Sequence, residues 1–154
     1  DDLDINLHAQ ARVIRQEICI VGVGGSNLTP FGTPSEFSEE EILSAAHKGF
    51  RQAEQFTQIA EKLRGGPIPL LLVSHVPPVG TKVDRLRSGK HVGSKAIRTA
   101  VEKYRPQFCL TGHIHESRGW DTINDTTICN PGMLSNGGWV EVTIQQSTIT
   151  AQLI

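Results

Sequence analysis

The chain has 154 residues, of which 38% are hydrophobic and 20% charged, and its formal net charge at pH 7 is −1. This length and composition predict one globular domain over residues 1–154 and exclude extensive disorder, and the near-neutral charge gives no electrostatic case for nucleic-acid binding. No apolar run approaches the ~18 residues of a membrane-spanning helix, and no basic-then-apolar leader opens the chain. We therefore expect no membrane partner and a cytoplasmic localisation.

The first predicted elements are two short strands between Arg12 and Val23, with a turn at Gln16–Glu17. The second strand, Ile18–Val21, is continuously apolar, as is typical of a strand buried on both faces. A glycine-rich loop follows it, and such loops can present backbone N–H groups to an anion. We therefore predict phosphate binding at Gly24, Gly25, Ser26 and Asn27. The alternative is a flexible turn whose glycines supply positive φ angles.

A long helix is predicted next, because Ser38 and Glu41 form a capping box and Gly65–Gly66 precede Pro67. Small and apolar residues recur along it with helical spacing, which predicts one face packed on a sheet. His47 lies outside that stripe, and we expect it to be solvated. The predicted stripe is Ile42, Ala46, Gly49, Ala53, Phe56, Ala60 and Leu63.

The apolar run Ile68–Val73 predicts a second buried strand, which ends at Ser74–His75. The following segment, residues 79–92, is polar, basic and rich in turn-forming residues, and long loops of this kind are usually functional or mobile. Its basic side chains suit an anionic substrate. We predict that Lys90 and His91 bind substrate phosphate, and His91 is also a candidate catalytic residue. The alternative is a solvated charged loop.

A second helix is predicted from the N-cap Ser94 to Tyr104, and the strand Gln107–Leu110 then leads into Thr111-Gly112-His113-Ile114-His115. Residues two apart in an extended or turning backbone point the same way, so His113 and His115 can converge. Strand ends of an open α/β sheet meet at one edge, where His75 would join them. Converging imidazoles commonly bind a transition metal, although structural histidines are the alternative.

The last third of the chain alternates between apolar runs and turn residues, which predicts antiparallel strands and hairpins. The predicted strands are Arg118–Ile123, Thr126–Cys129, Trp139–Ile144 and Ser147–Leu153, with sharp turns at Asn124–Asp125 and Asn130–Gly132. The cysteines Cys19, Cys109 and Cys129 all lie in strand-like runs without a Cys-x-x-Cys spacing. We expect buried free thiols, with metal ligation as the alternative.

The order and spacing of Ser74-His75, Gly112-His113-Ile114-His115 and Asn130-Pro131-Gly132 resemble the C-terminal half of calcineurin-like metallophosphoesterases of the small prokaryotic type. The glycine loop, the segment 88–94 and Glu116 also resemble these proteins. The resemblance implies an α/β (α+β) fold: a β-sandwich flanked by helices in four layers, αββα, of which this chain forms the C-terminal part. It also implies hydrolysis of a phosphoester, by a phosphatase or phosphodiesterase, at two divalent metals such as manganese, iron or zinc.

By this resemblance His75 and His113 ligate one metal and His115 ligates the other, while Asn130–Gly132 forms a structural turn behind them. The family motifs Asp-x-His, Gly-Asp-x-x-Asp/Asn and Gly-Asn-His-Asp/Glu do not occur in this chain, although Asp1 or Asp2 could end the third. Two dications about 3.5–4 Å apart repel each other and need a bridging anion, which neutral imidazoles cannot supply. We therefore expect the partner to be a segment N-terminal to Asp1 or a second copy of the chain.

Two other functions remain open at this point. The chain could be a non-catalytic relative that binds one metal or a partner, or an unrelated mononuclear zinc hydrolase with three histidine ligands. If strands of a sandwich are lacking, we expect the sheet holding Ile18–Val21 and Leu70–Val73 to have an open apolar edge that needs covering.

Overall fold

The computed structural model describes residues 5–145 and 148–154. Asp1, Asp2 and the predicted strand start Ser147 lie outside the described residues. The helices are α1 (Glu39–Arg64) and α2 (Lys95–Tyr104), with short 3-10 turns at Lys82–Asp84 and Leu134–Asn136. The strands are β1 (Gln10–Ile14), β2 (Ile18–Val23), β3 (Ser26–Asn27), β4 (Glu36–Phe37), β5 (Leu70–Ser74), β6 (Phe108–Leu110), β7 (Gly119–Ile123), β8 (Thr126–Asn130), β9 (Val140–Gln145) and β10 (Thr148–Leu153).

A six-stranded sheet forms the centre of the described part of the chain, with strand order β1-β2-β5-β6-β8-β7. The inner strands β2, β5, β6 and β8 run parallel, and hairpins place β1 and β7 antiparallel at the two edges. Because β5 and β6 are parallel neighbours, their carboxyl ends meet at one edge of the sheet. This topology places the two histidine-bearing turns side by side.

Helix α1 lies against β1 and β2, and its first turn is fixed by the predicted capping box between Ser38 and Glu41. At its carboxyl end Gly65 is left-handed, with a φ of 83°, and its N–H donates to Glu61. The expected face of small residues is confirmed at Ile42, Ala46, Gly49, Ala53 and Ala60, which are buried together with Ala45 and Phe50.

Two parts of that helix prediction are wrong. Leu63 is 70% exposed, because it lies in the last turn, beyond the residues that pack on the sheet. His47 is half-buried, because α2 packs against α1 and brings the Tyr104 hydroxyl to 2.8 Å from His47 Nδ1. Helix-to-helix packing of this kind depends on distant residues and is invisible in the spacing of α1 alone.

The C-terminal strands form two separate hairpins. β7 and β8 join the large sheet, whereas β9 and β10 pair only with each other among the described strands. The expected mixed α/β fold is confirmed. The buried free thiols are also confirmed, since Cys19, Cys109 and Cys129 are unpaired and buried.

The edge strands of this sheet are β1 and β7, whereas β2 and β5 have neighbours on both sides, and the expected open apolar edge stays a prediction. Exposed apolar surface lies on the face of the sheet turned away from α1 and α2. On that face Val73 is 39% exposed, while Ile20, Phe108 and Leu110 are partly exposed. The helices bury the other face, where Val21, Leu72, Cys109 and Ile128 are fully buried.

Candidate metal centre

His75 occupies the position immediately after β5, where the backbone is held from both neighbouring strands. Its N–H donates to the carbonyl of Val23 at 3.0 Å, and its carbonyl accepts from the N–H of Gly112 at 3.0 Å. Both bonds continue the ladders of the parallel sheet beyond the strand ends. The sheet therefore fixes the backbone position from which the His75 side chain projects.

His113 lies in the turn after β6 and has a left-handed backbone, with a φ of 62°. A non-glycine residue in this region is strained, so other contacts must hold it there. The fully buried amide of Asn130 does so by donating to the carbonyls on either side of it, Gly112 at 3.3 Å and Ile114 at 2.8 Å. The positive φ turns the His113 ring back towards β5.

As a result His113 Nδ1 lies 3.2 Å from His75 Nε2, with the two rings inclined at 66°. Two nitrogens bound to one tetrahedral metal at ~2.1 Å would be about 3.4 Å apart, so the spacing fits a shared ion. Desolvation lowers the pKa of both imidazoles, and the other histidines lower it further. Lower pKa values favour the neutral, ligating form of each ring.

His115 lines the same cavity as this pair, but the structure does not bring all three rings together as one ligand set. No group of three or more metal-ligating side chains occurs among residues 5–145 and 148–154. A preformed three-histidine zinc site is therefore absent from the described part of the chain. The cavity has a volume of about 570 Å³ and is lined by Gly25, Ser26, Thr33, Pro34, Ser35, His75, His113 and His115.

The glycine loop contributes Gly25 and Ser26 to the lining of this cavity, but two of its backbone N–H groups are bonded to other parts of the chain. The N–H of Gly24 donates to His8 Nδ1 at 3.1 Å, and the N–H of Ser26 donates to the carbonyl of Ser35 at 3.1 Å. The Asn27 side chain donates to the carbonyl of Val92 at 3.3 Å. The predicted cluster of anion-binding N–H groups therefore lacks two of its donors in this structure.

Glu36 is a site-forming residue that the sequence analysis missed. Its carboxylate accepts hydrogen bonds from the backbone and hydroxyl groups of both Thr29 and Thr33, at 2.5–3.0 Å. These bonds lower its pKa to about 2 and close the loop that supplies Thr33 and Ser35 to the cavity. Burial and the neighbouring His75 and His115 lower the pKa of His113, and the charge of Glu36 opposes this with a smaller upward effect.

The basic segment 79–92 is ordered around Asp84, a second residue that the sequence analysis missed. Asp84 is 0% exposed and accepts from the N–H groups of Gly80, Thr81 and Gly93 at 3.0–3.1 Å. Its Oδ1 also lies 2.6 Å from His91 Nδ1. Lys90 and His91 are at the surface and do not belong to the described lining of the histidine cavity.

A family model for metallophosphoesterases of the calcineurin superfamily matches residues 13–154 of this chain. The chain belongs to that family. The expected resemblance is thereby confirmed for nearly the whole sequence, including β2 and both histidine-bearing turns. Metal-dependent hydrolysis of phosphoesters is the general activity of that family.

The chain matches part of a longer relative. It is 39% identical over 131 residues to the uncharacterized protein MJ1162 of Methanocaldococcus jannaschii, a match that covers 82% of this chain and 53% of the relative. The chain thus spans about half the length of that relative. Among the described residues, no helix has the length and apolarity needed to span a membrane.

Solved structures support the fold. One crystal structure matches this chain with a TM-score of 0.60 and 22% sequence identity, and the match covers 96% of this chain and 53% of the chain in that structure. The crystal structure of the protein TT1561 of Thermus thermophilus matches 96% of this chain and 58% of its own, with a TM-score of 0.55 and 13% identity. At these identities the similarity concerns the fold alone.

Proposed function

We propose that this chain supplies the histidine half of a two-metal centre that hydrolyses a phosphoester. The observation that supports it is the 3.2 Å approach of His75 Nε2 to His113 Nδ1 at the ends of adjacent parallel strands. His115, on the same cavity wall, is the proposed ligand of the second ion. Bound divalent ions would neutralise charge that develops on the phosphoryl oxygens, a role that no side chain of this cavity wall can replace.

The protein residues have the tasks of orientation and electrostatics. The sheet fixes His75, Asn130 fixes His113, and Glu36 holds the opposite loop around the cavity. Gly25 and Ser26 leave space beside the imidazoles for a phosphoryl group. Manganese, iron and zinc all accept imidazole ligands, and we propose one of these in a cytoplasmic enzyme.

We further propose that the carboxylates bridging the two ions come from the rest of a longer polypeptide, or from a second copy of this chain. Two observations support this: the chain spans about half of its curated relative, and the described residues contain no three-member ligand cluster. If this protein is instead a non-catalytic metal-binding member of the family, the chain would also match about half of a longer relative. In that case the complete polypeptide would show no turnover.

The test uses the complete natural polypeptide, stripped of metal and reloaded separately with Mn²⁺, Fe²⁺ or Zn²⁺. We expect hydrolysis of p-nitrophenyl phosphate or bis(p-nitrophenyl) phosphate that depends on added metal. His75→Ala and His113→Ala should each lower kcat/KM by at least about 100-fold and reduce bound metal measured by elemental analysis.

His47→Ala is the matched control, because this histidine lies on α1 against Tyr104 and away from the cavity. It should retain bound metal and turnover. Full turnover in the His75 and His113 variants, or turnover that survives complete metal removal, would refute the proposal.

A further inference from the structure

The segment between the two histidine-bearing turns forms a second feature that the metal centre does not use. Residues 84–92, here called the basic hairpin, pair through an antiparallel bridge between Arg85 and His91. The N–H of Leu86 donates to the carbonyl of Lys90 at 2.9 Å, and the N–H of Gly89 donates to Leu86 at 2.8 Å. The segment is therefore a defined hairpin and not a solvated loop.

Buried Asp84 fixes the geometry of this hairpin from beneath. Three backbone N–H groups and His91 Nδ1 surround its carboxylate, which is 0% exposed. Because Nδ1 donates to Asp84, Nε2 is the ring nitrogen that remains to meet a ligand, and it donates to an anion when the ring is protonated. A Cβ on Gly93 would lie 2.9 Å from the Asp84 carboxylate, so a glycine is needed there.

Two cations accompany His91 on the hairpin. Residues paired across an antiparallel bridge place their side chains on the same face, so Arg85 lies beside His91. The Arg85 guanidinium folds over the turn, since a Cβ on Gly89 would be 3.4 Å from its Nη2. Arg87 is neutralised by Glu116 at 3.2 Å, but no described carboxylate forms an ion pair with Arg85 or Lys90.

Three contacts attach the basic hairpin to the walls of the histidine cavity. Glu116, next to His115, accepts from the N–H of Arg87 at 3.1 Å, and the Ser117 hydroxyl donates to the carbonyl of Arg85. On the other side, Asn27, next to Ser26, donates to Val92. The uncompensated positive charge is therefore held beside the metal centre but outside its cavity.

We propose that Arg85, Lys90 and His91 bind a second anionic group of the substrate, beside the scissile phosphoester. This inference rests on the proposed hydrolytic function and specifies its substrate class: a phosphoester that carries another phosphate or similar anion. Asp84 holds His91 in place, whereas Arg85 and Lys90 form no ion pair with a described carboxylate and lie outside the metal cavity, so their charge is available to an anion.

The first experiment measures binding to the metal-free complete polypeptide, where the metal centre cannot hold an anion. Inorganic pyrophosphate is titrated by calorimetry against the unmodified protein and the variants Arg85→Gln, Lys90→Gln and Lys48→Gln. The Lys48 variant removes one positive charge from the exposed surface of α1 and is the control. We expect the Arg85 and Lys90 variants to weaken binding about 3- to 10-fold each, and the control to leave it unchanged.

The second experiment compares kcat/KM of the metal-loaded protein for thymidine 5′-phosphate and thymidine 3′,5′-bisphosphate. We expect a preference for the bisphosphate that Arg85→Gln and Lys90→Gln each reduce about 3- to 10-fold, through KM and with the monophosphate unaffected. Thermal unfolding checks that the variants stay folded, and Arg85→Lys should restore part of the preference.

The outcomes separate the two proposals. Hydrolysis without any preference, or a preference unchanged in both variants, overturns the role of the basic hairpin but leaves phosphoester hydrolysis intact. Pyrophosphate binding equal in all variants also overturns it. Absence of hydrolysis of every phosphoester refutes the proposed function, whereas loss of pyrophosphate binding in the Arg85 and Lys90 variants would still support the anion site.

Discussion

The side-chain amide of Asn130 lies 2.8 Å from the carbonyl oxygen of Ile114, and the same nitrogen reaches the carbonyls of Gly112 and Val83 at 3.3 and 3.2 Å. One buried amide thus joins the turn that holds His113 to the 3-10 turn Lys82–Asp84. Its oxygen is also used, accepting from the N–H of Gly132 at 2.9 Å.

We therefore expect Asn130→Asp to destabilise the fold by about 3 kcal/mol or more, because a carboxylate would face three carbonyl oxygens in a buried site. Asn130→Ala should cost about 1–3 kcal/mol by leaving those carbonyls without a donor. Urea unfolding of the metal-free protein measures both values. The Ala variant should also bind metal more weakly, since the strained His113 backbone can then relax. Unchanged metal affinity in a folded Asn130→Ala protein would contradict this role.

A second prediction concerns the two helix N-caps. Ser38 is half-buried at the start of α1, where it accepts from the N–H of Glu41 at 3.2 Å. Ser94 is fully buried at the start of α2, where it accepts from Ile97 at 3.1 Å and donates to Glu39 at 2.7 Å.

Ser38→Ala should cost about 1 kcal/mol, the usual value for an N-cap. Ser94→Ala should cost about 2 kcal/mol, because it also removes a charge-assisted bond that links the starts of the two helices. Chemical denaturation of both variants provides the comparison, and equal losses would show that the bond to Glu39 contributes nothing.

A third prediction follows from His47. Burial, with the charges of Lys103 and Arg51, lowers its pKa below the ordinary value of 6.5. Between that lowered pKa and 6.5 the unfolded chain binds more protons, so stability falls as the pH falls through this window. His47→Gln removes the titrating group and should reduce the loss of stability between pH 7.5 and pH 5. Urea unfolding at the two pH values tests this, and an equal loss in both proteins would exclude the effect.

A fourth prediction concerns Glu36. Its hydrogen bonds to Thr29 and Thr33 lower its pKa from 4.5 to about 2, so the stability that they contribute is present above pH 4.5 and is lost as the pH falls towards 2. Glu36→Gln should make the loop between these threonines more susceptible to proteolysis at pH 7. The difference in unfolding free energy between the two proteins should shrink between pH 4.5 and pH 2. A difference that is constant with pH would show that the carboxylate charge is irrelevant.

Local chemistry explains which parts of the fold could be predicted from the sequence. The bounds of α1 follow from Ser38, Glu41 and the Gly65–Gly66–Pro67 stop, all of which act within one helical turn. The approach of His75 to His113 follows from a rule about parallel strand ends, once both strands are recognised.

The remaining features depend on contacts between residues far apart in the chain. The N–H of Gly24 is occupied by His8, 16 residues away, so the glycine loop could not be distinguished from an anion site by its sequence. The role of Asp84 depends on closing a hairpin around it, and a single acidic residue in a basic segment gives no signal of burial. For Glu36, the nearby Thr29 and Thr33 are the signal that could have been used.

The three cysteines lie on β2, β6 and β8, and all are 0% exposed. Burial raises the pKa of Cys19 and Cys129 to about 11 and raises that of Cys109 as well. At pH 8 about one thousandth of a thiol with such a pKa is thiolate, the form that reacts with alkylating reagents. The rate at which each thiol is alkylated therefore reports how often its own strand opens. Peptide mass spectrometry can follow the three thiols separately. Equal rates would show that the parallel strands of this sheet separate together, and different rates that they separate one at a time.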